Sequence, residues 1–339
     1  MICGVILAGG FGTRLWPLSD SRTPKQFLKL FSDKSMIVET SMRILPFVPL
    51  KKQYVLTGKA YSRLVEEQFD GMINLMIEPM AKNTGPCILW AAMKMQKEYG
   101  NNAVMVVLPS DHVINDEENF IKALAVAEKK AKEGCIVTFG ILPDRPETGF
   151  GYIEIDGGDY RANETVSRIV AFHEKPQSEA AQAYVESGRF LWNSGMFVFS
   201  ADVIIKEFAL HCKEVYDCLH GIDPDDEQLV KRAFECAPSI SIDYAVMEHT
   251  KLGCCIPSDF GWNDVGSYLS LHAVHQKDPD GNVIVGDVIA KDTKSSYING
   301  KKRIVCIGLE DIVIVEGEDT ILVAKKEAAS AVGDIAKNN

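Results

Sequence analysis

A chain of 339 residues, 46% of them hydrophobic, is long enough for a large buried core and, at roughly 150 residues per domain, predicts about two domains. A formal net charge of −11 disfavours non-specific attraction to nucleic acid or anionic membrane, and no apolar run reaches the roughly 20 residues that cross a bilayer. The first strand runs straight into Ala8-Gly9-Gly10 without a basic leader, so a cytoplasmic protein with neither nucleic-acid nor membrane partners is expected.

Short β-type runs at 2–8, 53–57, 72–77 and 103–108 alternate with helical patterns at 35–45, 60–69, 85–98 and 117–133. Phe120, Leu124, Ala127 and Ala131 show the three- and four-residue apolar spacing of these helices. Such alternation predicts an α/β fold, a mostly parallel sheet with helices on both faces and ligand loops at the carboxyl ends of its strands. From 135 to 199, strands at 136–140, 151–155, 166–174 and 190–200 mix with one helix near 179–187. Helices are expected again at 201–211, 226–236 and 266–275.

Beyond Asp278-Pro279-Asp280-Gly281-Asn282 the composition shifts to β runs at 283–290, 295–298, 303–306, 312–315 and 320–323. This predicts one domain over 1–278 and a small β-rich domain over 279–339, either a hairpin module or a few coils of a short β-helix. Residues 325–339 fit a short helix with a frayed end. The nine cysteines show neither CxxC pairs nor zinc-ligand spacing, so reduced core thiols are expected, with adjacent Cys254 and Cys255 on a strand.

Three loops after strands are chemically unusual. After the first come Gly9-Gly10-Phe11-Gly12-Thr13-Arg14, whose glycines let the backbone approach a phosphate. No Gly-Lys-Ser/Thr follows, so this is not a Walker A loop. The dinucleotide GxGxxG spacing is broken too, and Trp16-Pro17 interrupts any following helix. What remains is a phosphate loop with its own cations, Arg14 and Lys25, weighed against an ordinary glycine-rich turn with a surface Arg. The other two loops carry Glu78-Pro79 and Pro109-Ser110-Asp111-His112.

The run 7–19, Leu-Ala-Gly-Gly-Phe-Gly-Thr-Arg-Leu-Trp-Pro-Leu-Ser, with Pro24-Lys25-Gln26, resembles the signature of the sugar-nucleotide pyrophosphorylases, in particular the mannose-1-phosphate guanylyltransferases. Pro109-Ser110-Asp111-His112, Phe172-His173-Glu174-Lys175-Pro176, Trp192-Asn193-Ser194-Gly195-Met196 and Gly261-Trp262-Asn263-Asp264-Val265-Gly266-Ser267 resemble the family's later motifs in the same order. The resemblance implies a Rossmann-like nucleotidyltransferase with a mixed, mostly parallel central sheet. It further implies that a phosphate oxygen of mannose 1-phosphate attacks the α-phosphorus of GTP in line, giving GDP-mannose and pyrophosphate. No covalent intermediate is needed, so positioning and charge neutralisation carry the catalysis.

By the family pattern Arg14 holds the β- and γ-phosphates, Lys25 lies near the reacting phosphates, and the backbone of Gly9–Thr13, with Gly10 and Gly12, cradles them, Leu7 and Ala8 also belonging to the nucleotide site. Ser110 accompanies Asp111 on the nucleotide side. Lys175 binds the sugar phosphate, Glu174 accepts from sugar hydroxyls, and Gly149, Gly151, Asn193 and Gly195 line that pocket. Asp111 and Asp264, 153 positions apart, are the implied Mg²⁺ ligands, since magnesium is typically held by one or two carboxylates plus substrate phosphates. Their plain alternatives are caps of the turn after Asp111 and of the helix near Gly266.

Guanine offers N1–H and N2–H, so its site needs an acceptor. Glu78 is the candidate, with Asn83, Thr84 and Gly85 near base or ribose; against this, Glu78 ends a strand and Thr84 suits a helix cap before Pro86. His112 has no general-base duty, because a sugar phosphate is already ionised. Trp16, Trp192 and Trp262 read as core aromatics, and 128–133 as a solvated helix end.

Asn263 and Tyr268 depart from the family's usual Ser and Trp. Two-function relatives append a sugar-phosphate isomerase domain; this chain stops at Asn339, so no isomerase activity is expected. A homodimer through exposed strand edges of the C-terminal module is also expected. The rival readings are another sugar or base, a non-catalytic nucleotide-sugar sensor, and an oxidoreductase, which fails on its own fingerprint.

Overall fold

The computed structural model describes residues 1–10, 13–158 and 165–337. They divide into two compact units, one built from 1–9, 40–110 and 114–262, the other from 10–39, 111–113 and 263–339. The strands up to residue 263 are β1 (Ile2–Leu7), β2 (Gln53–Gly58), β3 (Asn74–Glu78), β4 (Val104–Pro109), β5 (Val113–Ile114), β6 (Ile136–Ile141), β7 (Tyr152–Ile155), β8 (Ser167–His173), β9 (Phe190–Ser200), β10 (Gly253–Ser258) and β11 (Trp262–Asn263). β5 and β11 pair with each other; the other nine form one sheet in the order β3-β2-β1-β4-β9-β6-β10-β8-β7.

The first four strands are parallel, as the strand-helix alternation predicts. β9 then enters antiparallel to both β4 and β6, and β7 pairs with β8 and again with β9, closing the far end of the sheet on itself. The helices are α1 (Met36–Ile44), α2 (Ser62–Gln68), α3 (Thr84–Tyr99), α4 (Glu117–Lys132), α5 (Ser178–Ser187), α6 (Ala201–His211), α7 (Lys213–Leu219) and α8 (Glu227–Cys236). β4 shows why both faces are covered. Val104, Val106 and Leu108 share a core with Phe120, Leu124 and Ala127 of α4, while Met105 and Val107 share another with Ile88, Ala92 and Met95 of α3. Burying a side chain such as Phe120 contributes about 1.5–3 kcal/mol. Asp116 caps α4 by accepting from Asn119 N at 3.0 Å, and acidic Glu117 and Glu118 at its start with Lys129, Lys130 and Lys132 at its end suit the helix dipole.

Neither α7 nor the full extent of β10 is anticipated by the periodicity. Reduced thiols are not found throughout: Cys218 on α7 and Cys236 on α8 are joined as a disulfide, with Cα atoms 5.8 Å apart. The packing of two short helices brings the pair together, so no local CxxC spacing announces it.

In the second unit, β12 (Val283–Lys291), β13 (Tyr297–Ile307) and β14 (Ile312–Glu316) pair in parallel and β15 (Ile321–Lys325) closes the sheet antiparallel. Parallel partners 14 or 16 residues apart, Val283 with Tyr297 and Tyr297 with Val313, decide for β-helix coils over hairpins, whose strands would be antiparallel. The strand bends at Gly286, whose φ is +97° and where a Cβ would lie 1.9 Å from the Gly300 carbonyl oxygen. Most of the residues in the runs expected at 295–298 and 303–306 belong to one strand, β13, which pairs with β12 from Tyr297 to Ile307 across a register shift; the amides of Lys301 and Lys302 at that shift donate to Glu316 Oε2. Val283, Tyr297, Val313 and Val315 share a core with Leu15, with Tyr268 and Leu271 of α9 (Tyr268–Val274), and with Val332 of α10 (Val332–Lys337).

Candidate functional site

Lys25 opens a tight turn, Lys25–Phe27, behind Pro24 and is almost fully buried. A buried ammonium is costly unless paired. Its Nζ donates to Asp111 Oδ2 at 2.9 Å and to the backbone carbonyl of Asp264, so one cation gathers two segments far apart in sequence. Burial pushes the Asp111 carboxyl up, but the Lys25 ammonium, aided by His112 and Arg14, outweighs it and holds the group below the usual carboxylate range. Asp111 therefore presents an ionised carboxylate at neutral pH.

Asp264 Oδ1 accepts the amide of Gly266 at 3.1 Å. A Cβ at Gly266 would lie 2.5 Å from Asp264 Oδ2 and 3.2 Å from Arg14 Nη1, so the bare backbone leaves room for the guanidinium beside the carboxylate. Ser267, not Asp264, caps α9 by accepting from Ser270 N. Gln26 Nε2 donates to the Gly10 carbonyl at 3.0 Å and pins the start of the glycine loop. Tyr268, one of the two departures, is fully buried and donates its hydroxyl to the carbonyls of Leu15 and Trp16, bracing the turn Thr13–Leu15 that carries Arg14. Asn263, the other, accepts from Val265 N at 2.8 Å and holds Val265 at φ +48°. Gly12 lies outside the described residues.

In the first unit the loop after β1 is tied down by its backbone. The Leu7 carbonyl accepts from Ser110 N at 3.1 Å, and the Ala8 carbonyl from Thr57 Oγ1 at 3.0 Å. Gly9 neighbours the end of β3, where a Cβ on it would make ordinary contact with Glu78 Oε1 at 3.5 Å. Glu78 is buried, and burial pushes its carboxyl up to about 7. Asn83, at φ +63°, caps α3 by accepting from Thr84 N at 2.8 Å, which takes the duty considered for Thr84. Thr84 Oγ1 instead accepts from Ile242 N at 2.9 Å, and Gly85 N donates to the Ile240 carbonyl.

Glu174, Lys175, Asn193 and Gly151 come together at the closed end of the sheet. The Glu174 side chain is buried and Oε1 accepts from Lys175 Nζ at 2.7 Å; a Cβ at Gly151 would meet Oε2 at 2.6 Å. Burial opposes the Lys175 charge, but Glu174 overcomes it and the ammonium is held above its ordinary value. Asn193 Oδ1 accepts from Thr138 Oγ1 at 2.9 Å and Gly195 N at 3.2 Å, with Gly195 at φ +71°. Gly149 stands apart, its amide donating to Glu147 Oε1. Trp192 and Trp262 flank Phe150 edge-on, and Trp16 packs on the Leu15 core.

Sequence reasoning misses Asp243, which accepts from Asn193 Nδ2 at 3.0 Å. It lies in a π-helical turn, Asp243–Met247, too short to give a periodic signal. Burial, with the Glu174 carboxylate adding, pushes its carboxyl up to about 7.

Residues 3–281 match the family model described as nucleotidyl transferase, and residues 286–338 match the MannoseP isomerase/GMP-like beta-helix domain. The chain is 42% identical over 346 residues to the alginate biosynthesis protein AlgA of Pseudomonas aeruginosa, covering 98% of this chain and 71% of that protein. It is 39% identical to a mannose-1-phosphate guanylyltransferase of Salmonella muenchen, covering 97% of this chain and 71% of that one. A crystal structure from Thermus thermophilus, of a protein called mannose-1-phosphate geranyltransferase, superposes with a TM-score of 0.89 at 31% identity, over 99% of this chain and 98% of its own.

Proposed function

The chain belongs to the nucleotidyl transferase family, and from that premise we propose that it transfers the guanylyl group of GTP to mannose 1-phosphate, releasing pyrophosphate and forming GDP-mannose. A phosphate oxygen of the sugar phosphate forms the new bond to the α-phosphorus as the bond to the bridging oxygen of the leaving pyrophosphate breaks. Atoms and charge balance without an enzyme nucleophile, and both substrates arrive ionised, so no general base is required.

The observation that carries this reading is the buried Lys25 ammonium paired with Asp111 and the backbone of Asp264. Lys25 and Arg14 neutralise charge on the triphosphate and on the leaving pyrophosphate. Asp111 and Asp264 supply hard oxygen donors of the type a magnesium ion takes alongside substrate phosphates and water. Bound there, the ion would neutralise phosphate charge. Lys175 pairs with the sugar phosphate, and Glu174 and Asn193 orient the sugar. Glu78, when ionised, accepts from guanine N1–H and N2–H, and a base lacking those donors would leave a buried carboxylate unpaired.

Residues 1–278 carry this chemistry and 279–339 form the β-rich region. Working in the cytoplasm, the protein pairs as a homodimer through the C-terminal module, where Ile289, Val305, Ile321 and Val323 are exposed on the strands. Light scattering at micromolar protein tests the dimer, and a monomer would overturn it.

Pyrophosphate release from GTP and Mg²⁺ with mannose 1-phosphate, run beside glucose 1-phosphate and no sugar, tests the reaction. Release with mannose 1-phosphate alone is expected. Release with another sugar would overturn the product, a preference for dTTP or UTP would overturn the base, and silence with every pair would leave a nucleotide-sugar sensor.

A further inference from the structure

Glu174 and Lys175 sit on a turn that needs outside support. Lys175 holds φ +47°, the left-handed region that a lysine rarely adopts. One short segment, 243–248, supplies the support. Glu248 Oε1 accepts the amide of Glu174 at 3.1 Å, and the Tyr244 hydroxyl lies 3.5 Å from the Glu174 carbonyl. Both backbone polar groups of Glu174 are thus faced by side chains of that one segment.

Asp243, at the start of the segment, governs a different partner. An asparagine amide can sit either way round, and here two contacts choose: Gly195 N–H points at Oδ1, and the Asp243 carboxylate takes one hydrogen of Nδ2. The second Nδ2 hydrogen is then the donor that Asn193 can offer a substrate oxygen. Asn193 and Asp243 are 50 positions apart and belong to different elements, one on β9 and the other on the π turn.

We infer that Asp243 is a positioning residue of the sugar-phosphate site, acting through Asn193, with Tyr244 and Glu248 holding the Glu174-Lys175 turn in register beside it. The inference rests on the reading of Glu174, Lys175 and Asn193 as the sugar-phosphate site and names what fixes their geometry. Asp243 need not touch substrate to matter, because a misplacement of about 1 Å at a reacting group costs on the order of 10²-fold in rate. A carboxylate is not required for this duty: an amide oxygen at 243 accepts the same hydrogen bond.

The test is a double-mutant cycle in the full-length protein, read as KM for mannose 1-phosphate, KM for GTP and kcat. Asp243→Ala is expected to raise KM for the sugar phosphate about tenfold or more and to leave KM for GTP within about twofold. Asp243→Asn is expected to restore most of that loss. Combining Asp243→Ala with Asn193→Ala should give a sugar-phosphate KM no worse than Asn193→Ala alone. Additive effects would overturn the inference, as would equal losses for both substrates or an Asp243→Asn variant as poor as Asp243→Ala. Should Asp243→Ala not fold, Asp243→Asn and Glu248→Ala, which removes the acceptor of the Glu174 amide, carry the decision: near-wild-type KM for the first and a sugar-selective rise for the second are expected, and the reverse refutes it. A wild-type protein that turns over no sugar phosphate would fault the functional reading instead, before any variant is compared.

Discussion

Replacing Gly151 with alanine adds one methyl group against the proposed sugar ligand. The new Cβ would lie 2.6 Å from Glu174 Oε2 and 3.3 Å from Asn193 Cβ, where ordinary contact begins at 3.4 Å. Glu174 must therefore retreat by about 0.8 Å or push the strand aside. It cannot swing away freely, because its side chain is buried and Oε1 is tied to Lys175 Nζ at 2.7 Å. The backbone at 151 is not in the left-handed region, so alanine brings no conformational strain of its own. Since a 1 Å error in placement costs on the order of 10²-fold, kcat/KM for mannose 1-phosphate is expected to fall about 10- to 100-fold. That corresponds to about 1.4–2.7 kcal/mol of transition-state stabilisation. Initial rates of pyrophosphate release across a sugar-phosphate series, with GTP saturating, measure it. Gly149→Ala is the control, since its Cβ meets only the Glu147 carboxylate, and little change is expected. A Gly151→Ala enzyme within about threefold of wild type would refute the placement of Glu174 in the sugar site.

Lys25→Ala should lower kcat/KM by about 10²-fold or more, because one charge-stabilising donor is typically worth about 2.7–4 kcal/mol; a tenfold loss or less would remove Lys25 from the chemistry. Gly266→Ala should depress kcat more than either KM, since the methyl group collides with Asp264 and crowds Arg14; an unchanged magnesium titration and rate would argue against both assignments. Glu78 must be ionised to accept from guanine, and its carboxyl sits at about 7, so the acceptor is present above that pH and lost below it. KM for GTP is expected to rise about tenfold between pH 8 and pH 6, and Glu78→Gln should flatten the profile. A profile equally steep in Glu78→Gln would assign the titration elsewhere.

Much of this was legible in the chain because the signals are local. The unbroken apolar run of β4 and the three- and four-residue spacing of α4 follow from strand and helix geometry, and both faces of β4 are buried, as such a run requires. The loops after β1, β3 and β4 stood out by residue type alone, and the resemblance to the family motifs singled out Arg14, Lys25, Asp111, Glu174 and Asp264 as candidates. Other features hang on partners that no window of sequence contains. The antiparallel entry of β9, the choice of coils over hairpins at 283–325 and the Cys218–Cys236 bridge depend on which distant segments pack together.

The same divide runs through the site. Residue chemistry at 25, 111 and 264 suggested cations and metal ligands, yet only the folded chain sets one buried ammonium against a carboxylate 86 positions away and a carbonyl 239 positions away. Asp243 carries no motif at all; it matters because a five-residue π turn places its carboxylate against the Asn193 amide. Periodicity and turn chemistry are written into neighbouring residues, whereas the pairing of polar groups is settled by desolvation, which penalises every buried donor or acceptor until the tertiary structure finds it a partner.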